Sequence, residues 1–203
     1  MYRQTSYLFQ IILFNIYQKN LLVGFSLIFR YVHHVFNLIH KEIAMTIEWT
    51  YLAKHPQHIK QLAEWYFDEW GTYVEDGSIE SFQNKLQDYL NTDRVPLIIL
   101  AVEEQTLVGA VQIKYREMTI YPDKEYWLGG VYVNPDYRGQ HIASQLVLQA
   151  EKRAIELKIN LLYLQTESLN GGLYAKLGWE IETQVNYRDV DVAVMHKVLN
   201  QER

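Results

Sequence analysis

Two changes of hydrophobic period between Tyr126 and Gln165 restrict the fold more than any other feature of this sequence. Tyr126-Trp-Leu-Gly-Gly-Val-Tyr-Val133 reads as a strand, stopped by Asn134-Pro135. Helical spacing follows, with Ile142, Leu146, Ala150, Ala154 and Leu157 on one stripe and Gln145, Gln149, Lys152 and Glu156 outside it. Leu161-Leu-Tyr-Leu-Gln165 is then short and continuously apolar, as a strand covered on both faces should be. A strand, a helix and a buried strand in that order make a parallel crossover unit. The chain is therefore expected to build a sheet that contains a parallel pair.

The flanking segments make that sheet mixed. Ile59, Leu62, Ala63, Tyr66 and Trp70 fall on one face of a helix closed by Gly71. Phe82, Leu86, Tyr89 and Leu90 repeat the spacing in a second helix beginning near Ser78. Val95-Pro-Leu-Ile-Ile-Leu-Ala-Val102 and Leu107-Val-Gly-Ala-Val-Gln-Ile113, on either side of a Glu103-Glu104-Gln105 turn, predict two antiparallel strands. After the crossover come a short helix around Leu173 to Leu177, capped by Gly178, and a tail in which Val190, Val192 and Val194 alternate with Asp191, Ala193 and Met195. With no internal repeat or low-complexity linker, residues 45–203 are expected to form one α+β domain with a mixed sheet.

Residues 1–44 read as a different piece. They carry Arg3, Lys19, Arg30 and Lys41 against Glu42, whereas the remainder has 15 bases and 23 acids, net −8. Their apolar runs, Tyr7 to Phe14 and Leu21 to Phe29, are separated by Gln18, Lys19 and Asn20. Neither approaches the roughly 18 to 20 residues of a spanning helix. A secretion signal fits poorly, since Arg3 is the only charge ahead of the first run and no small-x-small cleavage site follows it. The simplest expectation is that translation begins at Met45; an amphipathic membrane-surface or partner-binding segment is the alternative. The absence of cysteine excludes a disulfide scaffold, a thiolate metal site and a cysteine nucleophile, and makes the cytoplasm the default compartment. Lys+Arg 19 against Asp+Glu 24, with no basic run, argues against a nucleic-acid partner, and a membrane partner is not expected either.

Ligands of open sheets with parallel strands bind beyond the carboxyl ends of those strands. Here that place reads Val133-Asn-Pro-Asp-Tyr-Arg-Gly-Gln-His-Ile-Ala-Ser144. The start of the following helix offers free N–H groups and about half a positive charge, which favours an anion. Arg138 can pair with phosphate through two donors, and Gly139 lets the backbone come close. A Pro-Asp-Tyr-Arg-Gly turn also serves simply to join two elements, so this segment alone leaves both readings open. Other constellations are bland. His55 and His58 have no flanking carboxylate or third ligand, so a solvated helix start is expected there and no metal site. There is no Gly-x-Ser-x-Gly elbow, Walker loop or dinucleotide fingerprint.

The run Trp127-Leu-Gly-Gly-Val-Tyr-Val-Asn-Pro-Asp-Tyr-Arg-Gly-Gln-His-Ile-Ala-Ser-Gln-Leu146 closely resembles the acyl-CoA signature of the GNAT superfamily of N-acetyltransferases, V-x-P-x-x-R-G-x-G-I-G/A. Asn170-Gly-Gly-Leu-Tyr-Ala-Lys-Leu-Gly-Trp179 resembles the second signature of that family, and the order of elements is similar from Thr46 to Leu199. The resemblance implies a GNAT-like central mixed, mostly antiparallel sheet flanked by helices, with a splayed parallel strand pair forming the CoA site. It implies acetyl-CoA as cosubstrate and acetyl transfer to a primary amine, on a small molecule or a peptide, by direct attack. A non-catalytic acyl-CoA-binding or regulatory module is the alternative, and a homodimer is left open.

Carried over residue by residue, the resemblance makes Val131, Tyr132 and Val133 the strand edge that pairs with the pantetheine amides. It makes Arg138, Gly139, Gln140, His141, Ile142, Ala143 and Ser144 the pyrophosphate cradle, Asn170 a contact near the sulfur, and Tyr174 the acid that protonates the leaving thiolate. An unpaired strand edge can accept a peptide-like arm by β-augmentation, and a backbone N–H such as that of Val131 can hold the thioester oxygen. The resemblance also sets the first helix and its following loop along the acceptor groove, with Asp68, Glu69, Glu75 and Asp76 as candidates to receive a cationic amine. Two positions depart from the pattern. His141 stands where the loop normally has Gly, and is expected to lie already in the first helical turn, where it costs little. Gly129 stands where many members have a Glu that draws a proton from the amine; Glu125, Glu69, Tyr132 and a water chain are the open candidates for that base.

Overall fold

The computed structural model describes residues 46–74 and 77–199. The expectations for residues 1–44, and for Glu75 and Asp76, lie outside the described residues. The sheet has seven strands in the order β1-β2-β3-β4-β5-β7-β6. These are β1 (Glu48–Tyr51), β2 (Leu97–Glu103), β3 (Thr106–Tyr115), β4 (Tyr126–Val133), β5 (Leu161–Thr166), β6 (Glu180–Tyr187) and β7 (Val190–Val198). All neighbours are antiparallel except β4 and β5, the two strands of the expected crossover.

Among the described residues four α-helices flank the sheet: α1 (Ile59–Trp70), α2 (Ile79–Gln87), α3 (Ile142–Glu156) and α4 (Gly172–Lys176). Ser78 starts α2 with a reciprocal cap, accepting from the Ser81 N–H at 3.1 Å while Ser81 Oγ accepts from the Ser78 N–H at 2.9 Å. The apolar stripes of α1 and α2 pack on Ile98, Leu100, Val102, Leu107 and Ala110. Alternation along β2 turns Ile99 and Ala101 to the opposite face, where α3 lies on β2, β3 and β4. Both sets are buried, so the central strands are covered by helix on each side.

Four details differ from expectation. Strands β1 and β6 were not foreseen: Glu-Ile-Glu-Thr-Gln-Val-Asn-Tyr has little apolar content because β6 is an edge strand with mostly exposed or half-exposed side chains. Strand β5 is fully covered on one face only, by Leu162 and Leu164, while Leu161, Tyr163 and Gln165 are half-buried. The tail strand β7 buries Val192, Ala193, Val194 and Met195 in succession, because it sits between β5 and β6 rather than at an edge. Within α3, Val147 and Glu151 join the buried stripe and Leu157 falls just past its end. Glu151 is 7% exposed, accepting from Trp179 Nε1 at 2.8 Å and from Lys197 Nζ at 2.7 Å. Lys197 also donates to the Leu177 carbonyl at 2.7 Å, so one carboxylate ties α3 to β7 and to the end of α4.

Candidate functional site

The parallel pair separates almost as soon as it forms. Strand β4 meets β5 at the single register Trp127↔Tyr163, and beyond it the two strands diverge. A bulge on β4 adds to the divergence, since Gly129 to Tyr132 spans the partners Gln112 to Ala110 with one residue too many. Gly130 takes φ +55 there, and a Cβ on it would stand 2.7 Å from the Gln112 side chain, so the bulge requires glycine. The Tyr66 hydroxyl fixes it by donating to the Gly130 carbonyl at 2.9 Å. Antiparallel pairing alternates along a strand, and the Asn134 N–H bonds the Val108 carbonyl on β3 at 2.8 Å. Tyr132 therefore faces β3 as well, while Val133 turns its N–H toward the gap left by β5, and Val131 sits on the bulge at the cavity wall.

The strand ends in a short 3₁₀ turn over Pro135–Tyr137, with the Asn134 side chain accepting from the Asp136 N–H at 3.2 Å. Arg138 folds back from it. Its Nε donates to the Val133 carbonyl at 3.1 Å and its guanidinium lies 5.9 Å from the centre of the Tyr132 ring, which stacks on Trp65. This places the arginine beside the end of β4. His141 has φ 62 and ψ 12 and precedes the helix, which corrects the expectation that it lies in the first helical turn. The position is left-handed, and a non-glycine residue is strained there by roughly 1 kcal/mol or more. No side chain caps α3, and the first amide bonded back into the helix is that of Gln145, to His141 at 3.1 Å. The amides of Ile142, Ala143 and Ser144 lie ahead of it in the first turn.

Replacing His141 by Gly tests the strain directly. Relief of about 1 kcal/mol is partly offset by the entropy that glycine adds to the unfolded chain. The melting temperature should stay level or rise by roughly 1 to 3 °C, and a clear fall would contradict a left-handed His141.

A cavity of about 680 Å³ lies beside the bulge. One end is lined by Gly129, Gly130, Val131, Gln165, Ser168 and Tyr174, the other by Tyr66, Trp70, Phe82 and Tyr89 from the first two helices. The β6–β7 hairpin contributes Tyr187, Arg188 and Val190. Burial pushes the Tyr174 hydroxyl up to about 12, so it stays protonated through the physiological range. Its ring meets Trp179 edge-on at 6.3 Å.

Of the residues singled out from the sequence, the cavity joins Val131 and Tyr174. Tyr132, Val133 and the segment Arg138 to Ser144 stand outside its lining. So does Asn170, whose Oδ1 accepts from the Gly172 N–H at 3.1 Å and so braces the start of α4. Glu69 lines the cavity, whereas Asp68 and Glu125 are exposed and do not. Sequence reasoning missed Glu117, a half-buried wall residue paired with Lys114 and accepting from Gln165 Nε2 at 3.1 Å. Its inward direction depends on the positive φ of Arg116, which leaves no mark in hydrophobic periodicity. Among the described residues no group of three or more His, Cys, Asp or Glu could hold a metal ion.

Residues 59–179 match the family model described as the acetyltransferase (GNAT) family. Among solved structures, an acetyltransferase of the GNAT family from Streptococcus pneumoniae is 18% identical, with a TM-score of 0.57 over 76% of this chain and 100% of that one. The aminoglycoside 6'-N-acetyltransferase from Enterococcus faecium is 18% identical, with a TM-score of 0.59 over 78% of this chain and 99% of that one. An aminoglycoside 6'-N-acetyltransferase complexed with coenzyme A is 18% identical, with a TM-score of 0.61 over 77% and 99%. Identities this low show a shared fold. No curated protein sequence matches the chain.

Proposed function

Because this chain belongs to the acetyltransferase (GNAT) family, with acetyl-CoA as cosubstrate, we propose that it moves the acetyl group to a primary amine by direct attack, at the open end of β4. The observation that carries this reading is the β4 edge, which parts from β5 after one paired register and whose bulge residue Val131 lines the same cavity as Tyr174.

The residues present fit acetyl-CoA. A pantetheine arm resembles an extended peptide and suits the exposed groups of Val131 to Val133, with β5 diverging to leave room. The pyrophosphate suits the uncapped first turn of α3, where Ile142, Ala143 and Ser144 present amides to an anion. Arg138, Gly139, Gln140 and His141 border that turn, and Gly139 has nothing within 4 Å of the space a Cβ would fill. Bound there, acetyl-CoA supplies an activated acyl carbon with a good leaving group. The Val131 N–H donates to the thioester oxygen as charge grows on it, and Tyr174 gives its proton to the sulfur. Asn170 keeps α4, and with it Tyr174, at the correct height. No helix among the described residues is long and apolar enough to cross a membrane, and a chain without thiols suits the reducing cytoplasm.

Arg138→Ala removes the clamp on the Val133 carbonyl together with one charge beside the phosphates. The loss of one charge-assisted contact is worth about 1.5 to 3 kcal/mol, so the Kd for acetyl-CoA should rise roughly tenfold to a hundredfold. Calorimetric titration measures it, and an unchanged Kd would remove Arg138 from the site. The transfer itself is tested by thiol release from acetyl-CoA with an amine panel: a polyamine, an aminoglycoside, a peptide α-amine and a small metabolite amine. Tight acetyl-CoA binding with no release for any amine would sink the reading.

A further inference from the structure

An alkylamine is protonated near neutral pH and cannot attack a carbonyl until it loses a proton. Resting on the transfer reading above, we propose that Glu117 is the group that takes this proton. Three carboxylates line the cavity among the described residues: Glu69, Glu117 and Glu167. Glu69 and Glu167 are exposed, whereas the Glu117 side chain is 22% exposed and lies over the β4 bulge. A Cβ on Gly129 would come within 2.7 Å of Lys114 Cε and 3.9 Å of Glu117 Oε2, so Lys114 fills the space that Gly129 leaves and the carboxylate lies next to it, beside the strand edge.

The chain is bent to put it there. Residues three apart on a strand point to opposite faces, yet Lys114 and Glu117 form an ion pair. The left-handed Arg116, φ 46, reverses the direction at the end of β3, and its N–H bonds the Glu125 carbonyl at 3.0 Å to hold the reversal. Oε1 is held by Gln165, which stands on β5, so Glu117 spans the two diverging strands above the point where the acyl group enters. Tyr89, which lines the same cavity, is kept protonated first by burial and then by the negative charge of Glu117.

The step balances. Glu117 accepts one proton from the ammonium group, and the freed nitrogen lone pair forms the N–C bond. The C–S bond breaks with its electron pair on sulfur, which takes the Tyr174 proton. Tyr174 recovers a proton from the nitrogen, and Glu117 releases its own to water, leaving amide, thiol and one proton.

The test compares two nucleophiles small enough for the 680 Å³ cavity: n-propylamine, which is protonated at neutral pH, and methoxyamine, which is neutral there. In Glu117→Gln the amide oxygen can still accept from Gln165, so the wall should survive. Thiol release from acetyl-CoA with n-propylamine should fall roughly a hundredfold, while release with methoxyamine stays within about threefold of the parent. Acetyl-CoA affinity and melting temperature should hold. Equal losses with both nucleophiles, or no loss with either, would overturn the role of Glu117. If the parent protein binds acetyl-CoA and acetylates neither nucleophile and no amine of the panel above, the transfer reading itself fails and takes this role with it; if it acetylates a panel amine alone, an unchanged rate with that amine in Glu117→Gln overturns the role of Glu117.

Discussion

Glu151→Ala should lower the melting temperature by roughly 6 to 12 °C, the largest single-residue effect on stability expected here. The carboxylate is buried and holds two donors, Trp179 Nε1 and Lys197 Nζ, from two other elements. Truncating one partner of a buried charge pair leaves the other charge without its counterpart, a cost of about 3 kcal/mol or more. For a domain of this size each kcal/mol moves the midpoint by roughly 2 to 4 °C. Glu151→Gln separates charge from shape, because its amide oxygen can still accept one of the two bonds. It should cost about 1 kcal/mol, within the usual range for one hydrogen bond. If both variants melt with the parent, the network does not hold α3, α4 and β7 together. The tie also matters to the site, since Trp179 supports the ring of Tyr174.

Tyr174→Phe should lower kcat by roughly ten- to a hundredfold while acetyl-CoA affinity and melting temperature stay nearly unchanged. A CoA thiolate resembles a cysteine side chain, with a reference pKa of about 8.5, and leaves fairly well without help. Burial has pushed Tyr174 up to about 12, which keeps the donor loaded but makes it a weak acid. The contribution therefore belongs at the lower end of the usual 10²- to 10⁴-fold range for general acids, or below it. The same shift fixes the pH behaviour. A raised pKa keeps the proton on through the alkaline range, so kcat should show no loss from Tyr174 ionisation until the pH nears about 12. Full activity of the Phe variant with a working amine would return the proton donor to solvent.

Glu151 and Tyr174 also mark what was readable in the sequence. The crossover from Tyr126 to Gln165 was legible because strand, helix and strand differ in period. So were α1 and α2, whose apolar residues recur at helical spacing. The edge strand β6 was not, because an edge buries too little to write an alternating pattern. Tyr174 was reached through the resemblance of its segment, and the structure adds that it shares a wall with the β4 bulge. Glu151 and Glu117 were invisible for different reasons. Glu151 looks like one more charge on an amphipathic helix until Trp179 and Lys197 arrive from distant positions. Glu117 is turned inward by a left-handed arginine, and His141 is left-handed where a helical residue was expected. Positive φ outside glycine is decided by tertiary packing, and hydrophobic patterning carries no record of it.

Backbone N–H groups at the open end of β4 and in the first turn of α3 are expected to receive acetyl-CoA. Residue-resolved amide hydrogen exchange, with and without saturating acetyl-CoA, tests it most directly. Val133 faces a gap, Val131 lies on the bulge, and Ile142, Ala143 and Ser144 precede the first bonded amide of the helix, so all five should exchange readily in the free protein. Acetyl-CoA should slow them together, while Tyr132 and Asn134, already turned toward β3, change little. Slowing elsewhere in the domain, with these five amides exchanging as in the free protein, would contradict the claim.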